Sequence, residues 1–522
     1  MKETERDDAV RALLTEDAHG LATRVVRGEL SAESLLEASL ARIAEREGEL
    51  GAVCWLAPDV GREAARAIDR EVASLGKDPA ARRELLARRP FAGVPFLLKD
   101  LGTPAVGLPS RMGSRLFGEL TGGPVHWHAD GELVRRYRDA GLVPFGRSAS
   151  PELGINASTE TRAYGRPTRN PWNLAHSAGG SSGGAGAAVA GGLVAIAHAS
   201  DGAGSIRIPA SCCGLVGLKP SRDLMPAGPA MGEVWAGLAT EHVLARSVRD
   251  SALALAATAG ADPGAPHPAP VLRRELLVRL AAPDGLANAA RLRIGFVDSR
   301  LEGAAIDARV AEAARAVARR LEALGHHVEP AQLGVATDEV MEPVVRVMTC
   351  WAAAGIEAFC RNNGLDPARL PGDALEPGTW GALRAGQALS AARYVDCLAR
   401  FNEVARTVAA AWGDFDVVLM PTLAEPPALL GRFAMDNPDY LDYRLGPQGV
   451  VHYSPFTALA NLTGQPAVSL PLATVEGLPA GMQLIGRPGA DAELLLLAAE
   501  LERFFSGAAA SRAGEEAGIR QG

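Results

Sequence analysis

Uninterrupted apolar runs are missing from this 522-residue chain: no stretch reaches the length of about 18 residues that a membrane-crossing helix needs. The amino terminus, MKETERDDAV, is charged and lacks the apolar centre of a secretory leader. A soluble, cytoplasmic protein with no membrane partner is expected. Cysteine is scarce, with six residues (Cys54, Cys212, Cys213, Cys350, Cys360 and Cys397) and no CxxC or Cys/His spacing, so reduced thiols are expected and a structural zinc site or disulfide framework is not. Basic excess is absent too. A net charge of -8 argues against broad nucleic-acid affinity, which needs a basic surface to neutralise phosphates. No GxxxxGK[ST] loop occurs, which removes the phosphate cradle of a P-loop protein. None of the ten histidines stands in a recognisable catalytic setting: His126 and His128 lie in a loop, and His326 and His327 follow a helical stretch. All ten read as surface or packing residues.

What is present is enough apolar material for a sizeable core: 48% hydrophobic against 22% charged residues. The length exceeds a typical domain of about 100–200 residues, yet no repeat or linker interrupts the chain, so one large α/β unit is expected. Ser31 is placed to cap a helix bearing Leu35, Leu36, Leu40 and Ile43, and an amphipathic stretch runs over 62–75. The Arg-rich segment 76–90 reads as solvated surface. Val94, Phe96, Leu97 and Leu98 form a short buried strand that ends on Lys99. A lysine in that position ordinarily snorkels to solvent, and Asp100 could equally be its neutralising partner. A helix over 131–141 and the strand LVPFG follow, then a long loop, ASTETRAYGRPTRNPWNLAHS. RLRIGFV, a helix over 307–324 and HHVEPAQL form a β-α-β unit. Residues 335–412 are mainly helical, followed by the strands DFDVVLMPT, PAVSLPL and AGMQLIG and a helix over 491–505, with a fraying tail from about Ser506.

The chemistry concentrates in residues 179–214, GGSSGGAGAAVAGGLVAIAHASDGAGSIRIPASCCG. Ser181 and Ser182 sit among Gly179, Gly180, Gly183 and Gly184, and Ser205 follows Gly202, Ala203 and Gly204. Glycine lets main-chain N–H groups approach a ligand closely, and a serine beside such a run can meet donors suited to an oxyanion. The pattern points to serine-based acyl transfer. Flexible linkers are a poor alternative, because the intervening residues are apolar and the second loop runs straight into Ile206, Ile208 and Pro209. GGSSGG also fits the nucleophile-elbow pattern GxSxG, but an elbow needs a strand directly before its serine, and RNPWNLAHSA is a poor strand.

GGSSGG, the DGAGSIRIPA that follows it and the upstream GVPFLLKD together resemble the amidase signature family of serine hydrolases, as does the 24-residue interval from Ser181 to Ser205. The similarity runs from the opening helices to NLTGQPAVSLPL and GMQLIG. At FAGVPFLLKDL and SIRIPASCCGLVGLKPSR it is nearest to the subgroup of 6-aminohexanoate cyclic dimer hydrolases. The resemblance implies a large mixed β-sheet flanked by α-helices as a single domain over 1–522. It implies a catalytic core at about 90–260 with C-terminal strands at about 415–505, and a variable helical substrate region at about 335–460. It also implies a Ser-cisSer-Lys triad, with Ser205 as nucleophile, Ser181 after a cis peptide bond and Lys99 as base. The expected oxyanion donors are the N–H groups of Gly202, Ala203, Gly204 and Ser205. Ala203 stands where glycine is frequent in the family, which is harmless unless that position needs positive φ. Ser182, Asp201 and Arg207 are expected to support the loops, Cys212 and Cys213 to pack, and Cys350 to line the substrate pocket unless it is a small core residue.

The implied activity is hydrolysis of a linear or cyclic carboxamide without metal or organic cofactor. The implied partner is a small-molecule amide, and a homodimer is allowed. Two alternatives share the sequence: the glutaminase subunit of a tRNA-dependent amidotransferase, and a non-catalytic binding scaffold, against which the intact Ser205, Ser181 and Lys99 argue.

Overall fold

A computed structural model describes the backbone of residues 3–280 and 291–519 and the side chains of residues 9–280 and 291–505. Thirteen strands occur among them: β1 (Val53–Leu56), β2 (Val94–Lys99), β3 (Leu142–Ser148), β4 (Arg169–Asn170), β5 (Asn173–Ser177), β6 (Ile196–Asp201), β7 (Val216–Lys219), β8 (Thr240–Ala245), β9 (Arg293–Phe296), β10 (His327–Pro330), β11 (Val417–Pro421), β12 (Ala467–Val475) and β13 (Leu478–Gly486). Eleven of them make one sheet in the order β1-β3-β2-β6-β8-β7-β12-β13-β11-β9-β10. It is mixed: β2 runs parallel to β3 and β6, β9 parallel to β10 and β11, and the strands between β6 and β11 pair antiparallel.

Both faces of this sheet are covered, so its strands read as continuous apolar runs rather than alternating ones. On β11 the two-residue period sends Val417 and Leu419 into one core with Val468, Leu484 and the helices Val248–Thr258 and Ala308–Ala323. Val418 and Met420 point into the opposite core with Met348, Val404 and Leu459. β9, the helix Ala308–Ala323 and β10 form the expected parallel unit.

The helix Ala32–Leu50 opens on a capping box made by Ser31 and Ser34, and Leu35, Leu36 and Ile43 are buried. Segment 76–90 is largely exposed, as expected of a solvated run, but it is not featureless: Asp78 caps a helix over Pro79–Arg88 that buries Leu85. The long loop before Ser181 also holds structure, a separate two-stranded sheet of β4 and β5. Residues 172–175 of that hairpin are exposed, which is why its sequence lacks the apolar signature of a core strand. The last helix continues to Ile519, past the expected end at Phe505; the side chains of the tail lie outside the described residues.

Helices Thr337–Asn362, Pro377–Ala388 and Ala391–Trp412 pack together. The first of these is long and apolar enough to cross a membrane by composition, but 56% of the qualifying window is buried inside the protein, as expected of a core helix.

Candidate active site

Lys99 is the last residue of β2, where the strand leaves the sheet between β3 and β6. Its side chain is fully buried, against the ordinary expectation of a snorkelling lysine. Nζ donates to Ser181 Oγ at 2.7 Å and to Ser200 Oγ at 2.9 Å. The backbone is held just as firmly: Lys99 N–H donates to His198 Nδ1 at 3.2 Å, and Arg147 Nη1 donates to Lys99 O at 2.9 Å. Burial pulls the ammonium down to about 7, against the opposing pull of the Asp201 and Glu241 carboxylates. Asp100 is not the lysine's partner. Its carboxylate accepts from Arg111 N–H, Gly113 N–H and Tyr164 Oη.

Ser181 follows a cis peptide bond to Gly180 and is buried. Thr159 fixes its loop, donating to Gly179 O and Ser181 O and accepting from Gly183 N–H. The helix Gly183–Ala190 starts immediately afterwards. Ser182 ties this loop to the second one: its N–H donates to Ser205 O at 3.3 Å and its hydroxyl donates to Ser200 O at 3.2 Å.

Ser205 lies between β6 and the helix Arg207–Cys213 and opens on a cavity of about 380 Å³. Beneath it, Asp201 and Arg207 form a fully buried ion pair at 2.9 Å. Arg207 also donates to Thr457 O, Gln483 Oε1 and Asn461 Oδ1, so its guanidinium locks the loop to the helix Thr457–Thr463 and to β13. Burial raises the Asp201 carboxyl, but Arg207 and Asn461 outweigh it and hold it well below the usual carboxylate range.

One expected oxyanion donor is lost to this frame. Gly204 N–H donates to Asp201 Oδ1 at 2.6 Å, because a short loop folded over a buried carboxylate must satisfy it. The N–H groups of Gly202, Ala203 and Ser205 have no protein acceptor among the described residues. Ala203 does not need positive φ, so its methyl group is tolerated. Gly204 does: its φ is +128°, and a Cβ there would meet Thr457 Oγ1 at 2.3 Å. A Cβ at Gly202 would meet the Trp235 ring at 2.6 Å, so the indole lies directly over the loop.

The cavity wall corrects another expectation. Its lining comes from the loop after β2, from Met112, Leu153 and Gly154, and above all from residues 222–241; none comes from 335–460. Helix Thr337–Asn362 stands one layer behind, where Ala353 and Ile356 pack against Met112 and Leu153. Cys350 on that helix is half-buried and does not line the cavity. Cys212 and Cys213 are buried in packing, with the Cys212 thiol 3.5 Å from Tyr453 Oη. Among the described residues no cluster of His, Cys, Asp or Glu could hold a metal ion.

Sequence reasoning overlooked Ser200, His198 and Glu241. Ser200 stands directly before DGAGS, and two-residue alternation along β6 puts it on the same face as His198, a signal available in the sequence. The chain has only four lysines, so a lysine ending an apolar strand is conspicuous here.

Comparison with known proteins identifies the family. The family described as Amidase matches residues 34–495. The 6-aminohexanoate-cyclic-dimer hydrolase of Paenarthrobacter ureafaciens is 35% identical over 497 residues, covering 94% of each chain. The solved structure of a 6-aminohexanoate cyclic dimer hydrolase superposes with a TM-score of 0.82 at 32% identity, covering 94% of this chain and 97% of that one. A bacterial aryl acylamidase of the amidase signature family superposes with a TM-score of 0.80 at 27% identity, covering 94% of this chain and 96% of that one.

Proposed function

The chain belongs to the amidase signature family of hydrolases acting on C–N bonds and is related to the cyclic-dimer hydrolases, and from that premise we propose that it cleaves a carboxamide through an acyl-enzyme on Ser205. Neutral Lys99 takes a proton from Ser181, which takes one from Ser205 as its oxygen attacks the acyl carbon. The tetrahedral oxyanion then forms beside the loop whose Gly202, Ala203 and Ser205 N–H groups lack protein acceptors. Collapse expels the amine, which collects the relayed proton through Ser181, and water repeats the cycle on the ester.

The observation that carries this reading is the 2.7 Å contact between Lys99 Nζ and Ser181 Oγ in full burial. A lysine held near neutrality against a hydroxyl is poised to accept its proton at physiological pH. The cavity wall supports an apolar acyl or amine group, since Met225, Met231, Trp235, Leu101 and Leu153 all contribute to it. With cyclic-dimer hydrolases among the relatives, linear and cyclic oligoamides of aliphatic amino acids are the first substrates to try.

The test is a panel of aliphatic, aryl, peptide and cyclic or oligomeric amides, with hydrolysis followed by mass. The purified chain alone is expected to cleave simple amides, without a partner and without preference for glutamine. Hydrolysis confined to glutamine, or absent without a partner subunit, would favour the amidotransferase subunit instead.

A further inference from the structure

Among the described residues, Glu241 is the one carboxylate that both lines the cavity and acts on Lys99. It sits on β8 directly opposite Ser200 on β6, the serine that accepts from Lys99 Nζ. Its Oε1 accepts from Thr103 Oγ1 at 3.0 Å and lies 3.5 Å from His198 Nε2. His198 is fully buried, and its Nδ1 accepts the Lys99 N–H, which places the ring proton on Nε2, facing Glu241. A chain of contacts therefore runs from the cavity surface through Glu241 to His198, whose Nε2 approaches Oε1 without forming a hydrogen bond, and through Nδ1 to the Lys99 N–H.

The other charges around Lys99 are spoken for. Asp201, at the end of β6, is paired with Arg207 and still exerts the larger carboxylate pull on the Lys99 ammonium, from a position outside the cavity wall. Arg147, from β3, spends its guanidinium on the carbonyls of Lys99, Thr103 and Leu108. Asp100 is bound to Tyr164 and two backbone N–H groups. The loop carrying Ser181 brings hydroxyls and no charge. Among the described residues no arginine or lysine stands within ion-pair distance of Glu241; its close contacts are a threonine hydroxyl and a histidine ring.

We propose that Glu241 is a positioning residue for the hydrolysis: through His198 it orients Lys99, and its negative charge keeps part of the Lys99 population protonated until substrate fills the cavity. The proposal rests on the reading of Lys99 as base. An uncompensated carboxylate near a buried lysine favours the ammonium form, so removing the charge favours the free amine. That direction agrees with the upward pull that Glu241 exerts on the Lys99 ammonium.

The experiment compares wild type, Glu241→Gln and Glu241→Asp by the pH dependence of Ser205 labelling with a serine-directed fluorophosphonate. In Glu241→Gln the rising limb, set by deprotonation of Lys99, is expected to move to lower pH by about one unit, and Glu241→Asp, which keeps the charge, is expected to stay near wild type. A Glu241→Gln limb that does not move, whatever the change in rate, overturns the proposal. For variants too slow to label, lysine labelled with 13C at Cε gives a direct titration, because the chain has only four lysines and a Lys99→Met variant assigns the signal. The Lys99 midpoint is expected to fall in Glu241→Gln, and an unchanged midpoint refutes the idea. Failure of wild type to label at Ser205 would instead strike the reading of the site as a serine amidase, and the lysine titration would still test Glu241.

Discussion

Lys99 and Lys219 end two strands of one sheet, β2 and β7, and both side chains are buried. Burial lowers both ammonium groups from the ordinary lysine value, so by protonation alone either could serve as a base. Their neighbours differ. Lys99 Nζ meets the hydroxyls of Ser181 and Ser200, groups that can give up a proton. Lys219 Nζ donates to Pro220 O at 2.6 Å, and a carbonyl has none to give. Desolvation makes a lysine available; a hydroxyl within reach makes it useful.

The contrast can be broken in several ways, beginning with the nucleophile that Lys99 is proposed to serve. Ser205→Ala should lower amide hydrolysis by on the order of 10³-fold or more, the scale seen when a catalytic nucleophile is removed. Full activity in that variant would remove Ser205 from the reaction. Lys99→Met should slow acylation by about 10²–10⁴-fold at neutral pH, the usual contribution of a general base. Lys219→Met should slow it by less than about threefold in single-turnover measurements, since no hydroxyl depends on that amine. Equal losses in the two variants would collapse the distinction.

Smaller effects sharpen the frame around the loop. Arg207→Met leaves Asp201 buried and unpaired, which should cost about 3–5 kcal/mol in denaturant unfolding. A loss below about 1 kcal/mol would mean that the ion pair does not hold the loop. On the cavity wall, Trp235→Ala should raise KM for apolar amides by about tenfold, from lost apolar contact. Cys350→Ala should leave KM within about threefold, because that residue stands behind the wall. The reverse ranking would return the substrate pocket to the helical region.

The glycine-rich serine loops stood out in the sequence because their backbone requirements are local. Glycines must stand where backbones cross closely; Lys99 at the end of an apolar strand reads by itself as a snorkelling lysine, and only the family resemblance singled it out as a base. β2, β3, β11 and β13 were legible because burial on both faces leaves uninterrupted apolar runs, whereas β1, β7 and β8 were not singled out in the sequence. The cavity wall was not legible. Residues 222–241 are turn-rich and carry no period, and Trp235 reaches Gly202 only through tertiary packing. The resemblance drew attention to 335–460, but a helix one layer behind the cavity has the same buried pattern as one that lines it. Gly204 shows a further limit: sequence supplies an N–H and not the carboxylate it turns toward.

The most direct measurement is the site and pH dependence of labelling by a serine-directed fluorophosphonate, with the adduct mapped by peptide mass spectrometry. Lys99 acts as a base only when neutral, and its ammonium is lowered to about 7, so the labelling rate should rise as pH increases through that value and level off above it. The adduct should fall on Ser205. An adduct on Ser181, or a rate that does not change between about pH 6 and 8, would contradict the assignment of Ser205 as nucleophile and Lys99 as base.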